Sequence, residues 1–188
     1  MKYPLQNWQD AFCLIGSLVG LIWCIAVLNH FVAFTFNQYG ILPRDSLGLI
    51  GIFFWVLLHG DFMHVMVNTT PLLFLGFFVG LRGAGLFFKV TSIIWFTAGL
   101  LVWLIGRDAI HIGSSGLVFG YFGFLLAVAI YERNLFDLCV ASLVLFYYGG
   151  MFFGVLPVEA PVSWEAHLAG LFTGVLTAKW LGREWVRR

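Results

Sequence analysis

Four polar side chains lie inside stretches of this sequence that are otherwise long and apolar. They are His64, Asn68, Ser115 and His167. A hydroxyl, an amide or an imidazole in hydrocarbon costs free energy unless it is hydrogen-bonded or lines a wet cavity. These residues are therefore the first candidates for a functional site, and a serine with a histidine is the pair that nucleophilic catalysis uses.

Ser115 stands in the sequence Gly113-Ser114-Ser115-Gly116, at the predicted start of a helix over residues 114–131. Unpaired backbone N–H groups and the positive end of the helix dipole favour an oxyanion that forms beside a serine in this position. The flanking glycines let another backbone approach the hydroxyl closely. The alternative interpretation is that Ser114 and Ser115 only cap the helix.

His167 lies near the start of another predicted helix, over residues 165–182, and both helices carry glycines at helical spacing. The glycines are Gly116, Gly120 and Gly123 on the first helix and Gly170 and Gly174 on the second. Small-residue faces let membrane helices pack closely. We therefore expect His167 to come within hydrogen-bonding reach of Ser115 and to act as its general base. The alternative interpretation is that His167 is a structural histidine bonded to a neighbouring helix and that the glycines serve only to pack the helices.

His64 and Asn68 are four residues apart, and thus share one face of a predicted helix over residues 62–81. An amide and a neutral imidazole can both donate to a developing oxyanion. A zinc site that uses His59, His64 and either His111 or His167 is the competing interpretation. We predict no metal, because no carboxylate other than that of Asp61 sits at ligand spacing and no His-Glu-x-x-His motif is present; His59 and His111 are interpreted as histidines that brace loops.

The composition indicates a membrane protein. Of the 188 residues, 61% are hydrophobic and 10% are charged, and the mean hydropathy is +0.96, which no ordinary soluble domain matches. The net charge of +1 and the absence of a basic stripe give no indication of a nucleic-acid partner. Three cysteines within the predicted spans, Cys13, Cys24 and Cys139, are interpreted as buried apolar fillers, and no cofactor is predicted.

Charge-free runs predict an all-α integral membrane protein with one domain over residues 1–188 and six transmembrane helices. The predicted helices lie near 12–34, 62–81, 87–106, 114–131, 136–156 and 165–182. The short apolar run 46–60 is bounded by Asp45 and Asp61 and is too short for a span. We interpret it as a partly membrane-embedded loop between the first two helices.

The loop charges predict the orientation, because Lys and Arg collect on the cytoplasmic side. With six spans and a cytoplasmic N-terminus, eight of the ten basic residues fall inside: Lys2, Arg82, Lys89, Arg133, Lys179, Arg183, Arg187 and Arg188. Asp45, Asp61, Asp108, Glu159 and Glu165 fall in the outer connections. Both termini are therefore predicted to be cytoplasmic, and Ser115 and His167 to lie toward the outer face.

In these motifs the chain resembles the rhomboid intramembrane serine proteases in their minimal six-helix form. The resemblance rests on His59 with His64-Val65-Met66-Val67-Asn68, on Gly113-Ser114-Ser115-Gly116, and on Ala166-His167-Leu168-Ala169-Gly170 with Gly174. It implies that Ser115 attacks the scissile carbonyl of a transmembrane substrate and that His167 takes its proton, without an orienting aspartate. His64, Asn68 and the backbone N–H of Ser115 would hold the oxyanion.

The resemblance also implies the surroundings of the site. Phe119, one helical turn after the serine, would lie beside His167, and residues 136–156 with the loop 157–164 would form a lateral gate for substrate. Two departures from the family pattern are visible: the loop between the first two helices lacks a Trp-Arg pair, and the sequence Leu81-Arg82-Gly83-Ala84-Gly85 lacks a glutamate. Transmembrane substrates and membrane lipids are the implied partners, and the positive-inside charge pattern favours a bacterial inner membrane as the location.

Two other functions stay open from the sequence. A catalytically silent rhomboid-like protein would bind membrane clients without cutting them, although such relatives usually lose the serine or the histidine. A small transporter, or a membrane protein that holds haem or a metal between paired histidines, would leave Gly113-Ser114-Ser115-Gly116 unexplained.

Overall fold

The computed structural model describes residues 8–157 and 162–186, with side chains described as far as Leu181. These residues form seven α-helices: α1 (Trp8–Phe31), α2 (Gly48–Phe54), α3 (Phe62–Gly80), α4 (Ala84–Ile105), α5 (Ser115–Glu132), α6 (Leu135–Tyr148) and α7 (Trp164–Val186). Two 3-10 segments, Thr35–Tyr39 and Gly149–Val155, complete the helical part. The described residues contain no strand and one isolated bridge, between Ile41 and His111.

Five of the described segments are long and apolar enough to cross a membrane: α1, α3, α4, α5 and the continuous stretch Leu135–Val155. The chain is thus an all-α integral membrane protein. Helix α7 corresponds to the sixth predicted span and is 23 residues long. It is not among those five, and its last turns carry Lys179, Arg183 and Glu184.

The helix boundaries differ from the predicted ones where the backbone departs from α geometry. Helix α1 ends at Phe31, and Ala33 and Phe34 then adopt positive φ. The fifth predicted helix, 136–156, is α-helical only to Tyr148 and continues as the 3-10 segment Gly149–Val155. Glycine is a poor helix former, and Gly149 and Gly150 mark this change. The apolar run 46–60 contains the short helix α2.

The prediction that the three cysteines are buried is wrong. Cys13 and Cys24 on α1 and Cys139 on α6 are exposed.

Helix α5 forms the centre of the bundle, and its residues are buried nearly all round. Its closest neighbour is α7. A Cβ built at Gly170 would overlap the carbonyl oxygen of Gly116, and one at Gly174 would overlap the carbonyl oxygen of Gly120. Because glycines form both sides of this contact, the two backbones touch directly.

A buried ion pair lies at the end of the bundle where α5 ends and α6 begins. Arg82, in the turn between α3 and α4, pairs with Asp137 in the first turn of α6, and their side chains are 9% and 3% exposed. Asn134 caps α6 by accepting the Asp137 N–H at 3.0 Å. These contacts fix the start of α6 against the α3–α4 turn.

Candidate active site

The turn that leads into α5 is held by backbone and histidine contacts. Gly113 adopts a φ of 117°, which favours glycine, and its N–H donates to the Trp55 carbonyl at 2.8 Å. The next residue, Ser114, is 1% exposed, and its N–H donates to His59 Nε2 at 3.2 Å. Ser114 Oγ lies 3.1 Å from the same nitrogen. Ser115 is thereby fixed as the first residue of α5.

His59 can hold this turn because it stays neutral. A ring nitrogen that accepts a backbone N–H carries a lone pair, so the ring hydrogen sits on Nδ1. Burial, and after it the neighbouring His64, lower the pKa of His59 to about 4, although the Leu57 carbonyl and Asp61 act in the opposite direction. The imidazole therefore accepts hydrogen bonds throughout the neutral pH range.

His64 lies in the first turn of α3, beside His59, with the ring centroids 4.9 Å apart. Asp61 caps α3 and accepts the His64 N–H at 2.7 Å. The Gly60 N–H donates to His64 Nδ1 at 3.4 Å, so the ring hydrogen is on Nε2. A Cβ at Gly113 would lie 2.8 Å from this Nε2 and 3.9 Å from Ser115 Oγ. The Nε2–H of His64 thus faces the space next to the Ser115 hydroxyl.

Asn68 lies one turn further along the same face of α3 and is 7% exposed. Its Nδ2 donates to the His64 carbonyl at 2.9 Å. An amide nitrogen has two hydrogens, so this bond uses one of them and fixes the plane of the amide.

His167 lies in the first turn of α7 and is 7% exposed. Its ring stacks on that of Phe119, with centroids 4.1 Å apart and planes 7° from parallel. His167 Nδ1 lies 2.8 Å from the Gly154 carbonyl oxygen. Because a carbonyl can only accept, Nδ1 carries the ring hydrogen and Nε2 carries the lone pair.

Ser115 and His167 stand at the N-terminal ends of the two helices that pack most closely. A Cβ at Gly116 would lie 3.1 Å from the Ala166 carbonyl oxygen, which places the residues next to Ser115 and His167 in contact. Ser115 is half-buried. Within the described residues no hydrogen bond joins its hydroxyl to His167, and such bonds often tighten only when substrate is present.

A group of polar residues that the sequence did not reveal ties the loop before Ser115 to the start of α7. Arg107 Nη2 donates to the Val162 carbonyl at 2.7 Å, and its Nε lies 3.6 Å from Glu165 Oε1. His111 Nδ1 accepts from Ser163 Oγ at 2.6 Å, and its Nε2 donates to the Arg107 carbonyl at 3.1 Å. We call Arg107, His111, Ser163 and Glu165 the polar clasp.

The polar clasp gives buried partners to two residues that the sequence placed in the connections between helices. Glu165, which the sequence placed in an outer connection, is 4% exposed, and His111, which was interpreted as a histidine that braces a loop, is 2% exposed. Burial lowers the pKa of His111, while the Arg107 carbonyl and Glu165 act in the opposite direction. The contacts of Arg107 with Val162 and of His111 with Ser163 join residues more than 50 positions apart, so no local spacing could have indicated them.

We find no candidate metal site in the part of the chain that the structure describes. No group of three or more His, Cys, Asp or Glu side chains converges there. His59 and His64, two of the residues considered for zinc, each accept a backbone N–H, at Nε2 and Nδ1 respectively.

The helices, together with the polar residues around Ser115 and His167, define a class: a helical integral membrane protein with a polar site at one end of the bundle. The family model "Rhomboid domain" matches residues 47–184. The chain therefore belongs to the rhomboid family.

Similar proteins occur in bacteria and in a plant. An uncharacterized protein of Mycobacterium bovis is 38% identical over 181 residues, which cover 92% of this chain and 75% of the relative. An uncharacterized protein of Mycobacterium leprae is 35% identical over 92% of this chain and 72% of its own length. A RHOMBOID-like protein 4 of Arabidopsis thaliana is 31% identical over 63% of this chain and 30% of its own length.

Proposed function

We propose that this protein is a serine endopeptidase that cuts peptide bonds in or near transmembrane segments of other membrane proteins. The observation that carries the proposal is the state of His167. Its Nδ1–H is bound to a carbonyl, which leaves the Nε2 lone pair as a base, on a helix in backbone contact with the helix that Ser115 begins. The rhomboid family, which consists generally of intramembrane serine proteases, supports the same reaction.

In the proposed reaction, Ser115 Oγ attacks the scissile carbonyl carbon while its proton passes to His167 Nε2. The carbonyl oxygen becomes an oxyanion. The tetrahedral intermediate collapses when the C–N bond breaks and the leaving amine takes the proton from His167. Water then attacks the acyl-serine with His167 again as base, which releases the acid and restores Ser115.

The oxyanion is held by His64, Asn68 and the backbone N–H of Ser115. The His64 Nε2–H already faces the space beside the Ser115 hydroxyl. Gly113 keeps this space open, because a side chain there would fall 2.8 Å from His64 Nε2. Donors aimed at the developing charge stabilise the transition state more than the substrate.

The proposal includes the setting of the site. The protein has six spans with both termini in the cytoplasm, a partly embedded loop between α1 and α3, and the site toward the outer face of a bacterial inner membrane. Its partners are transmembrane substrates and lipids, with no nucleic acid, metal or cofactor. The substrate gate comprises α6, the 3-10 segment and the loop 157–164, of which residues 158–161 lie outside the described part of the chain.

Labelling with a fluorophosphonate probe tests the proposal. The detergent-solubilised parent should be labelled, and Ser115→Ala and His167→Ala should lose the label while retaining parental helix content. Ser114→Ala is the matched control, since this serine is 1% exposed and its hydroxyl faces His59. It should keep the label.

Two outcomes would contradict the proposal. Equal labelling of the Ser115→Ala variant would show that the probe reacts elsewhere. A folded parent that takes up no label and cuts no single-pass substrate in liposomes would instead favour a rhomboid-like protein that binds membrane clients without cutting them.

A further inference from the structure

The backbone carbonyl of Gly154 occupies the position where many serine hydrolases place a carboxylate. It accepts the Nδ1–H of His167 at 2.8 Å. In a neutral imidazole, the partner of one nitrogen decides which nitrogen keeps the lone pair. Without this acceptor the two tautomers would compete, and the Nε2–H form cannot take a proton from Ser115.

Gly154 belongs to a segment that is only partly packed. The 3-10 segment Gly149–Val155 follows α6, and Phe152 contacts Phe122 of α5 with ring centroids 5.1 Å apart. The adjacent Phe153 is 74% exposed. Gly154 itself reaches the His167 ring only because it has no side chain, since a Cβ there would lie 2.7 Å from Phe119 Cζ and 3.5 Å from His167 Nδ1.

Resting on the proposed function, we propose that Gly154 is a positioning residue that makes His167 a base only while the segment Gly149–Val155 lies against Phe119. When the segment moves away, the Nδ1–H loses its acceptor and the dyad is switched off. When it returns, Nε2 again presents its lone pair toward Ser115. The position of one surface segment thus controls the reactivity of the serine, without any movement of α5 or α7.

The Gly154→Ala variant tests this inference. The new methyl group must displace either the Phe119 ring, which is stacked on His167, or the segment that carries the carbonyl. The matched control is Gly150→Ala in the same segment, where a Cβ meets nothing within 4 Å. Both substitutions change glycine to alanine in the same 3-10 segment, and of the two only Gly154→Ala introduces a close contact.

The first measurement is the tautomer of His167, from nitrogen-15 NMR of protein with labelled histidine rings, assigned by the signal that His167→Gln removes. The parent and Gly150→Ala should show the Nδ1–H tautomer, and Gly154→Ala a mixture. The second is the rate of fluorophosphonate labelling of Ser115. It should fall about three- to tenfold in Gly154→Ala, the effect of one neutral hydrogen bond, and stay at the parental value in Gly150→Ala.

An unchanged tautomer and labelling rate in folded Gly154→Ala would overturn the inference, as would an equal loss in Gly150→Ala. If Gly154→Ala does not fold, Phe152→Ala replaces it, because it removes the contact with Phe122 without adding a clash; Phe153→Ala is its control. Phe152→Ala should then show the mixed tautomer, and the parental tautomer would refute the proposal. Failure of the proposed function can be distinguished from failure of this inference. If the proposed function is wrong, the parent protein itself takes no fluorophosphonate label, whichever tautomer His167 adopts.

Discussion

The Gly170→Ala variant should destabilise the protein through a single methyl group. The new Cβ would overlap the Gly116 carbonyl oxygen, and both atoms are fixed to helix backbones, so no rotamer can relieve the contact. The helices α5 and α7 must separate there by on the order of 1 Å to restore a van der Waals distance. Overpacking of this kind costs about 3 kcal/mol, from which the better helix propensity of alanine recovers about 0.5–1 kcal/mol. The net loss is about 2 kcal/mol, or about 4–8 °C in Tm for a chain of this length.

The assay is thermal unfolding of detergent-solubilised protein, followed by circular dichroism at one scan rate because membrane proteins often unfold irreversibly. Gly16→Ala in α1 is the matched control, since a Cβ there meets nothing within 4 Å. It should melt at the parental temperature or a few degrees higher. If Gly170→Ala melts within 2 °C of Gly16→Ala, roughly half of the smallest expected shift, the direct backbone contact between α5 and α7 is wrong.

Two further predictions concern the histidines around Ser115. The free energy of unfolding should decrease as the pH falls from 6.5 toward 4, by up to about 3 kcal/mol, because His59 binds its proton near 6.5 in the unfolded chain and only near 4 in the folded one; chemical denaturation at several pH values should show a smaller decrease for His59→Gln. His64→Ala should lower kcat by about 10²- to 10³-fold with little change in KM, and a variant in which only KM rises would place His64 in substrate binding instead.

Much of the fold could be predicted from the sequence because a bilayer restricts the possible structures. Apolar runs of about 20 residues must form helices there, since unpaired backbone groups are costly in lipid. Helix α3 was predicted at 62–81 and found at Phe62–Gly80. The helix that begins at Ser115 was predicted from 114 to 131 and ends at Glu132. Glycine spacing likewise predicted which two helices come into contact.

The remaining features depend on contacts between distant parts of the chain. The 3-10 geometry of Gly149–Val155 could not be predicted from hydropathy, because this segment and α6 form one continuous apolar stretch. The acceptor for His167 is a backbone carbonyl, which carries no sequence signal. The burial of Glu165 depends on Arg107, 58 positions earlier. Sequence patterns therefore predict which residues could react, and the tertiary structure supplies the groups that orient them.

In the proposed mechanism, the same contacts would align Ser115 and His167 without a carboxylate bonded to the imidazole. On the serine side, His59 holds the turn at Ser114. On the histidine side, the Gly154 carbonyl fixes the ring. The polar clasp joins the two sides, since it binds the loop before Ser115 to the first turn of α7. The buried carboxylate of Glu165 belongs to this link, where it pairs with Arg107. The positions of the turn before Ser115 and of the His167 ring thus rest on three attachments, namely His59 at Ser114, the polar clasp and the Gly154 carbonyl. The segment that carries the third is exposed at Phe153, which is 74% exposed.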